Sequence, residues 1–204
     1  MKRILILISL LPVCIVTMLA QNAGDALTKI LNTIERDGVK CTFSLHGQGD
    51  GAKASLLMNG IMFYMSTPES SSWFDGKTLW TGNLFEDKVE EVYISEPSLK
   101  EMEDNFSNPY LVIKGHKGFN VSMPDDKTLL FEATDTNGRN GIKSIRVSLD
   151  QRGMPSSAQM RTVNSDDEGI DITIEKFETN IKTTIDDFTY PAGKWPEAEV
   201  IDLR

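Results

Sequence analysis

Cysteine and histidine are scarce in this chain, and their scarcity limits the chemistry that it can support. The 204 residues include two cysteines, Cys14 and Cys41, and two histidines, His46 and His116. A single cysteine beyond residue 20 cannot form an internal disulfide, so we expect stability to come from packing. Neither histidine lies in a zinc, haem or nucleophile motif. The sequence therefore indicates a protein that is not an enzyme and that uses no cofactor and no metal.

Acidic pairs fall at predicted turns and strand ends, where such residues favour turn geometry and solubility. They occupy positions 125–126, 166–168 and 186–187. A calcium site at Asp166 to Glu168 stays open as an alternative, although the spaced oxygen ligands of a calcium-binding loop are missing there.

Long apolar runs are absent after residue 20, so membrane targeting is confined to the N-terminus. Two basic residues at positions 2–3 precede an apolar run from Ile4 to Leu19, which Ala20 ends. This run is short of the roughly 20 residues that cross a bilayer. We expect a signal peptide at 1–20, cleaved after Ala20, and a single domain at 21–204. Cys14 leaves a lipoprotein signal as an alternative, but no small residue precedes it at the usual spacing.

Positive charge is also in deficit. The net charge is −9, and removal of Lys2 and Arg3 with the signal peptide would change it to −11. A protein this acidic is repelled by nucleic acid and by anionic lipid surfaces. We therefore expect no nucleic-acid partner, and partners that are basic or uncharged.

Hydrophobic periodicity predicts one helix followed by many strands. Apolar residues recur at helical spacing over 22–37, and Gly38 is placed to end that helix. Most of the later chain alternates with period two, as half-buried strands do. The alternating segments are 39–45, 61–65, 129–133, 145–149 and 170–174. Short strands separated by Gly-containing turns predict a mainly β protein with an antiparallel sheet or barrel.

The segment from Pro97 to Gly115 interrupts this rhythm. Residues 98–106 show apolar side chains at helical spacing after a proline, which predicts a short helix. Residues 108–113 are compatible with a second helical turn or with a short strand. Between two groups of strands, this insertion is placed to cover an open face of the sheet.

A hairpin at Trp73 to Trp80 is the strongest local signal. Its Asp75-Gly76 pair between apolar runs predicts a two-residue type I′ turn. In that register Trp73 and Trp80 are diagonal neighbours on one face, and both faces of the hairpin require apolar contacts. The window from Leu56 to Trp80 is rich in methionine and aromatic residues on both strand phases. Such residues suit either a core or an adaptable wall for apolar ligands.

The segment Gly60 to Pro68, followed by the Trp73 to Trp80 hairpin, resembles the strand, proline and hairpin of the LolA family of periplasmic outer-membrane lipoprotein carriers. Residues 190–204 resemble the ending of the Bacteroidetes branch of that family. The resemblance implies an incomplete, strongly curved antiparallel β-barrel with an N-terminal helix and a helical lid. The expected lid elements are the N-terminal helix and residues 98–113.

The resemblance also implies a function. It predicts a monomeric periplasmic chaperone that binds the acyl chains of lipoproteins and carries them from the inner to the outer membrane. Its expected partners are acylated lipoproteins, an inner-membrane ABC-type exporter and an outer-membrane acceptor. Two alternatives stay open: a binder of another lipid or hydrophobic ligand with the same fold, and an envelope-stress sensor.

The candidate residues for the lipid cavity or lid share large apolar side chains. They are Leu27, Ile30, Phe43, Leu45, Met58, Phe63, Met65, Trp73, Trp80, Leu99, Met102 and Phe106. Many family members carry an arginine beside this strand's phenylalanine, where it is thought to latch the lid. Here Tyr64 follows Phe63, so the Tyr64 hydroxyl is the candidate latch.

Overall fold

The computed structural model describes residues 22–47, 49–86, 88–163 and 169–204. Helix α1 spans 22–37, α2 spans Leu99–Asp104 and α3 spans Pro109–Gly115. The strands are β1 (Val39–Gly47), β2 (Gly49–Asn59), β3 (Met62–Ser66), β4 (Ser70–Phe74), β5 (Leu79–Phe85), β6 (Lys88–Ser95), β7 (Phe119–Asp125), β8 (Thr128–Ala133), β9 (Ile142–Leu149), β10 (Pro155–Thr162), β11 (Gly169–Thr179) and β12 (Glu199–Asp202). Short 3-10 turns occupy Ile185–Phe188 and Ala192–Lys194. The expected signal peptide and the candidate calcium cluster lie outside the described residues.

Two meanders of consecutive antiparallel strands join into one open, curled sheet. The described strands follow the order β12-β6-β5-β4-β3-β2-β1-β11-β10-β9-β8-β7. The meander β1–β6 meets the meander β7–β11 where β1 pairs antiparallel with β11. Strand β12 returns to the far edge and pairs with β6 in parallel. This confirms the predicted mainly antiparallel, barrel-like fold, with α2 and α3 inserted between the two meanders.

The Trp73 to Trp80 hairpin differs from its predicted register. Trp73 lies directly opposite Trp80, so the loop has four residues and the tryptophans are not diagonal. The Asp75 carboxylate accepts hydrogen bonds from the backbone N–H groups of Lys77 (2.9 Å) and Thr78 (2.7 Å). This side-chain turn holds a wider loop than the two-residue turn that the Asp-Gly pair predicted.

The main core lies between the three helices and one face of the sheet, which we call the inner face. Helix α1 contributes Ala23, Leu27, Ile30 and Ile34, all buried at helical spacing. The sheet supplies Phe63 and Phe74, whose ring centres are 5.9 Å apart. Met102 of α2 and Tyr110 of α3 are also buried in this core. Gly38 directly follows helix α1. Its φ is +60° and a Cβ there would lie 2.6 Å from a carbonyl oxygen, so a glycine suits this position.

A second, smaller core covers the opposite, outer face of β3–β6. The Trp73 ring centre lies 5.3 Å from that of Tyr64, 5.4 Å from that of Tyr190 and 6.0 Å from that of Trp195. Val89 and Val92 pack into the same cluster. Phe74 faces the inner core while Trp73 faces the outer one, which confirms that both faces of the hairpin have apolar contacts.

The insertion after β6 consists of two capped helices. Ser98 and Glu101 form a reciprocal capping box at the start of α2, which confirms the helix predicted after Pro97. The Asn108 side chain accepts a hydrogen bond from the Leu111 N–H at 3.2 Å and caps α3. Residues 108–113 are therefore helical rather than extended.

Cys41 is buried in the first strand of the sheet. It is 6% exposed, and burial raises the pKa of its thiol to about 11. Among the described residues, no group of three or more metal-ligating side chains is present. Within the same residues, no helix is long and apolar enough to cross a membrane.

Candidate functional site

An apolar cavity of about 90 Å³ lies between the helices and the inner face of β7–β10. Leu27 and Ile30 of α1 and Val112 and Ile113 of α3 line it from the helical side. The sheet supplies the remaining wall, which consists of Phe119, Leu129, Phe131, Ile145, Val147 and Pro155. Every lining side chain is apolar, so the cavity suits a hydrocarbon and offers nothing to a polar ligand.

The cavity is small in this conformation. Ligand pockets in proteins occupy roughly 300–1,000 Å³, and one water molecule takes a share of about 30 Å³ in the liquid. A space of about 90 Å³ is therefore too small for a long acyl chain. Binding of such a chain requires α1 or α3 to move away from the sheet.

A polar cluster connects α1 to α3 beside the cavity. The Tyr110 hydroxyl on α3 donates a hydrogen bond to the Glu35 carboxylate on α1. The Lys114 ammonium donates to the Tyr110 oxygen at 2.9 Å and lies 3.4 Å from the Glu35 carboxylate. The hydrogen bond from Tyr110 is the main cause that lowers the pKa of Glu35, and Lys114 adds to it. The two cavity-lining helices are thus held together by polar contacts between the buried Tyr110 and the more exposed Glu35 and Lys114.

A second polar cluster connects α2 to the loop between β8 and β9. The Arg139 guanidinium donates to the Asp104 carboxylate at 2.8 Å, and the Asn140 amide donates to the Asp104 carbonyl at 2.6 Å. Lys100 and Arg139 lower the pKa of Asp104 to about 2. Arg139 also lies 5.7 Å from the centre of the Phe106 ring. An arginine guanidinium therefore holds the helical insertion. It belongs to Arg139 of the second meander and not to a residue beside Phe63, where the family resemblance places an arginine.

The turn between α2 and α3 is fixed to the first meander by a buried amide. Asn108 is fully buried, and its side chain donates a hydrogen bond to the Ile61 carbonyl at 2.8 Å. The same side chain caps α3, so the start of this helix is tied to the β2–β3 turn.

Only two of the predicted lipid-binding residues, Leu27 and Ile30, line the cavity. Met58, Phe63 and Met102 are buried in the inner core, and Met65 and Phe106 pack against it. These five lie under or beside the helices but do not reach the cavity wall.

Three further candidates lie away from the cavity. Phe43 and Leu45 are half-buried on β1 and belong to neither core. Leu99 is 44% exposed on α2.

The structure places Trp73, Trp80 and Tyr64 on the outer face, opposite the helices. Trp73 and Trp80, two of the candidates for the lipid cavity or lid, therefore do not line this apolar cavity. Alternation along β3 puts Tyr64 on the face opposite to Phe63, and its ring stacks on Trp73. The Tyr64 hydroxyl is consequently in no position to latch the helices.

Sequence reasoning missed the cavity wall that the second meander contributes. Leu129, Phe131, Ile145 and Val147 were visible as alternating strand residues, but the methionine-rich window of the first meander gave the stronger apolar signal. Their alternation showed that they share one buried face. It did not show that α3 leaves a gap above that face.

The family model of the outer membrane lipoprotein carrier protein LolA matches residues 62–191. This range covers well over half of the chain, from β3 to the segment after the first 3-10 turn, and includes α2, α3 and the sheet wall of the cavity. The chain therefore belongs to the LolA family. No curated protein matches it.

Solved structures at low sequence identity also match this chain, and the first of them shares its fold. An uncharacterized conserved protein from Thermus thermophilus matches with a TM-score of 0.55 at 12% identity, over 90% of this chain and 98% of that one. The LolA superfamily protein NE2245 from Nitrosomonas europaea has a TM-score of 0.42 at 11% identity, over 82% and 97% of the two chains. A chain of the Pseudomonas aeruginosa MucA/MucB complex has a TM-score of 0.43 at 10% identity, over 83% of this chain and 61% of that one.

Proposed function

We propose that this protein is a periplasmic carrier that shelters lipoprotein acyl chains under α1 and α3. The observation that carries the proposal is the wholly apolar cavity between these helices and the sheet. Each methylene removed from water contributes about 0.8 kcal/mol, so a protein that ferries acyl chains needs such a surface. Cargo would arrive from an inner-membrane ABC-type exporter and leave for an outer-membrane acceptor.

The arrangement of polar contacts supports a carrier that also releases its cargo. Apolar contacts in the cavity are non-directional, whereas the helices are also held by a few directional, partly exposed contacts of Glu35 and Asp104. These polar groups can exchange their partners for water when a helix moves. Opening for cargo would therefore break a few contacts of α1 and α3 and leave the sheet paired.

The test compares two valine substitutions in the binding of a synthetic dipalmitoylated lipopeptide. Val112→Glu places a carboxylate in the cavity wall, and Val200→Glu makes the same change at a site that is 56% exposed on β12. We expect Val112→Glu to weaken binding by about tenfold or more, because the carboxylate loses its hydration beside the acyl chain. Val200→Glu should bind like the unchanged protein in isothermal titration calorimetry.

Equal binding of the lipopeptide by both variants would contradict the proposal. So would binding of the peptide without its acyl chains as tightly as the acylated peptide. Mass spectrometry of protein purified from the envelope supplies a second measurement. Acylated peptides should co-purify with it, whereas free lipid alone would favour the binder of another lipid.

The proposal also includes a cleaved signal peptide at 1–20, so the N-terminus of the purified protein should be Gln21.

A further inference from the structure

A groove of about 470 Å³ lies on the outer face of the sheet, on the other side from the cavity. One of its walls is a row of directly opposed residues that crosses β1 to β4. Lys40 pairs with Leu57, Leu57 with Tyr64, and Tyr64 with Trp73. Neighbouring strands are about 4.8 Å apart, so this row is about 14 Å long. We call this space the outer groove.

The other wall of the outer groove is the segment 181–195, which adds a further aromatic ring. Trp195 of this segment is 6.0 Å from Trp73, and the Lys194 ammonium lies 4.3 Å from the Trp195 ring centre. The groove therefore has one end built from Tyr64, Trp73 and Trp195. Trp73 is 3% exposed and supports the other two rings, so the half-buried Tyr64 and Trp195 are the rings that a ligand can contact. Aromatic side chains of this kind contribute strongly to protein interfaces.

Three exposed lysines lie along the outer groove in a chain whose net charge is −9. They are Lys40, Lys182 and Lys194. In the part of the chain that the structure describes, none of them lies within 4.0 Å of a carboxylate oxygen. The ammonium groups of Lys40 and Lys182 are therefore available to a ligand with negative charge, and Lys194 can pair with a ligand while it stays above the Trp195 ring.

The groove also contains two carboxylates with different roles. Asp187 accepts hydrogen bonds from the Thr184 N–H at 2.7 Å and from the Thr184 hydroxyl at 3.2 Å, so it caps its own 3-10 turn. Asp186 is exposed beside it. The lining thus offers ammonium groups, a carboxylate acceptor and aromatic rings within one short groove.

We propose that the outer groove binds an extended acidic segment of a partner protein, in which a large apolar side chain lies beside carboxylates. Such a segment supplies carboxylates for the lysines, backbone N–H donors for Asp186 and an apolar side chain for the aromatic end. At about 3.3 Å per residue, the groove holds about four extended residues. A simple anion would leave the aromatic surface unused, and an acyl chain would leave the charges unpaired.

The test uses the acetylated and amidated pentapeptide Glu-Phe-Glu-Leu-Glu and follows tryptophan emission, because Trp73 and Trp195 line the groove. Lys182→Glu reverses one groove charge, and Lys127→Glu makes the same change at an exposed turn between β7 and β8. We expect saturable binding that Lys182→Glu weakens about fivefold and Lys127→Glu leaves unchanged. The peptide Lys-Phe-Lys-Leu-Lys should not bind, and Glu-Gly-Glu-Gly-Glu should bind more weakly.

Three outcomes would overturn the proposal: absence of saturable binding, equal binding of the acidic and basic pentapeptides, and equal binding by Lys182→Glu and the unchanged protein. Calorimetry with Trp195→Ala, which removes a half-buried ring of the aromatic end, should show the same loss without relying on emission.

The pentapeptide measurement is independent of the proposed carrier function. A saturating amount of lipopeptide should leave the pentapeptide affinity unchanged, and failure of lipopeptide binding leaves the pentapeptide result intact.

Discussion

The Tyr110 hydroxyl on α3 donates a hydrogen bond to the Glu35 carboxylate on α1, and this contact joins the two helices that line the apolar cavity. Tyr110→Phe removes the donor but keeps the buried ring. Because hydrogen bonds to charged groups are stronger than neutral ones, α3 should then open more often. We expect several-fold faster amide hydrogen exchange in residues 109–115, measured by mass spectrometry.

A matched control exists on β6. The Tyr93 hydroxyl donates a hydrogen bond to the Glu91 carboxylate at 2.9 Å, and α3 takes no part in this contact. Tyr93→Phe should leave exchange in α3 unchanged. Identical exchange in α3 for the unchanged protein and Tyr110→Phe would show that this contact does not hold the helix.

The anchoring of α2 should depend on pH through Asp104. Its folded pKa of about 2 lies below the ordinary value of about 3.9, so the ionised carboxylate stabilises the folded state. This contribution is complete above about pH 4 and is lost as the pH falls toward 2. The Tm of the unchanged protein should exceed that of Asp104→Asn at pH 7, and the difference should shrink below about pH 4. Asp126→Asn, at an exposed turn, should show no such difference, and a gap near pH 2 that is as large as the gap at pH 7 would contradict the prediction.

Tryptophan emission should not report acyl binding. All three tryptophans, Trp73, Trp80 and Trp195, belong to the outer cluster, and the sheet separates them from the cavity. A lipopeptide that binds by calorimetry should therefore leave the emission maximum unchanged. A blue shift on binding would mean that acyl chains contact the outer face, or that the two faces are coupled.

Phe63 should act as a core residue rather than as part of a ligand surface. It is 1% exposed and packs against Phe74 beneath the helices. Phe63→Ala should lower the free energy of unfolding by about 3–5 kcal/mol in urea denaturation, because it leaves a cavity in a close-packed region. Leu99→Ala, at a site that is 44% exposed, should cost less than about 1 kcal/mol. A small effect of Phe63→Ala would mean that the site tolerates an empty space and is adapted to ligands.

Elements set by local chemistry were predictable from the sequence. The helix at 22–37 follows from its apolar spacing, α2 from its apolar spacing after Pro97, and the strands from their period of two. The hairpin loop was harder to predict, because Asp75 is compatible with two local conformations. It can occupy a type I′ turn or use its carboxylate to hold a longer loop, and the structure adopts the second.

Features set by distant contacts were not predictable. Alternation shows that Trp73 and Phe74 lie on opposite faces, but not which face the helices cover. That choice depends on Tyr190, more than 100 residues later, which packs against Trp73. The contact between Arg139 and Asp104 likewise joins residues 35 positions apart, and charge alone does not select one carboxylate among many.

The pairing of β1 with β11 has a consequence for how the chain reaches its fold. Val39 lies opposite Thr179, so β1, a central strand of the finished sheet, pairs with a strand that is 140 residues away in sequence. Until β11 is available, β1 is an open edge with Phe43 and Leu45 on one face, and such edges pair readily with other chains. Closing so long a loop is also slow. The centre of the finished sheet is therefore the place where an incomplete chain is most prone to aggregate.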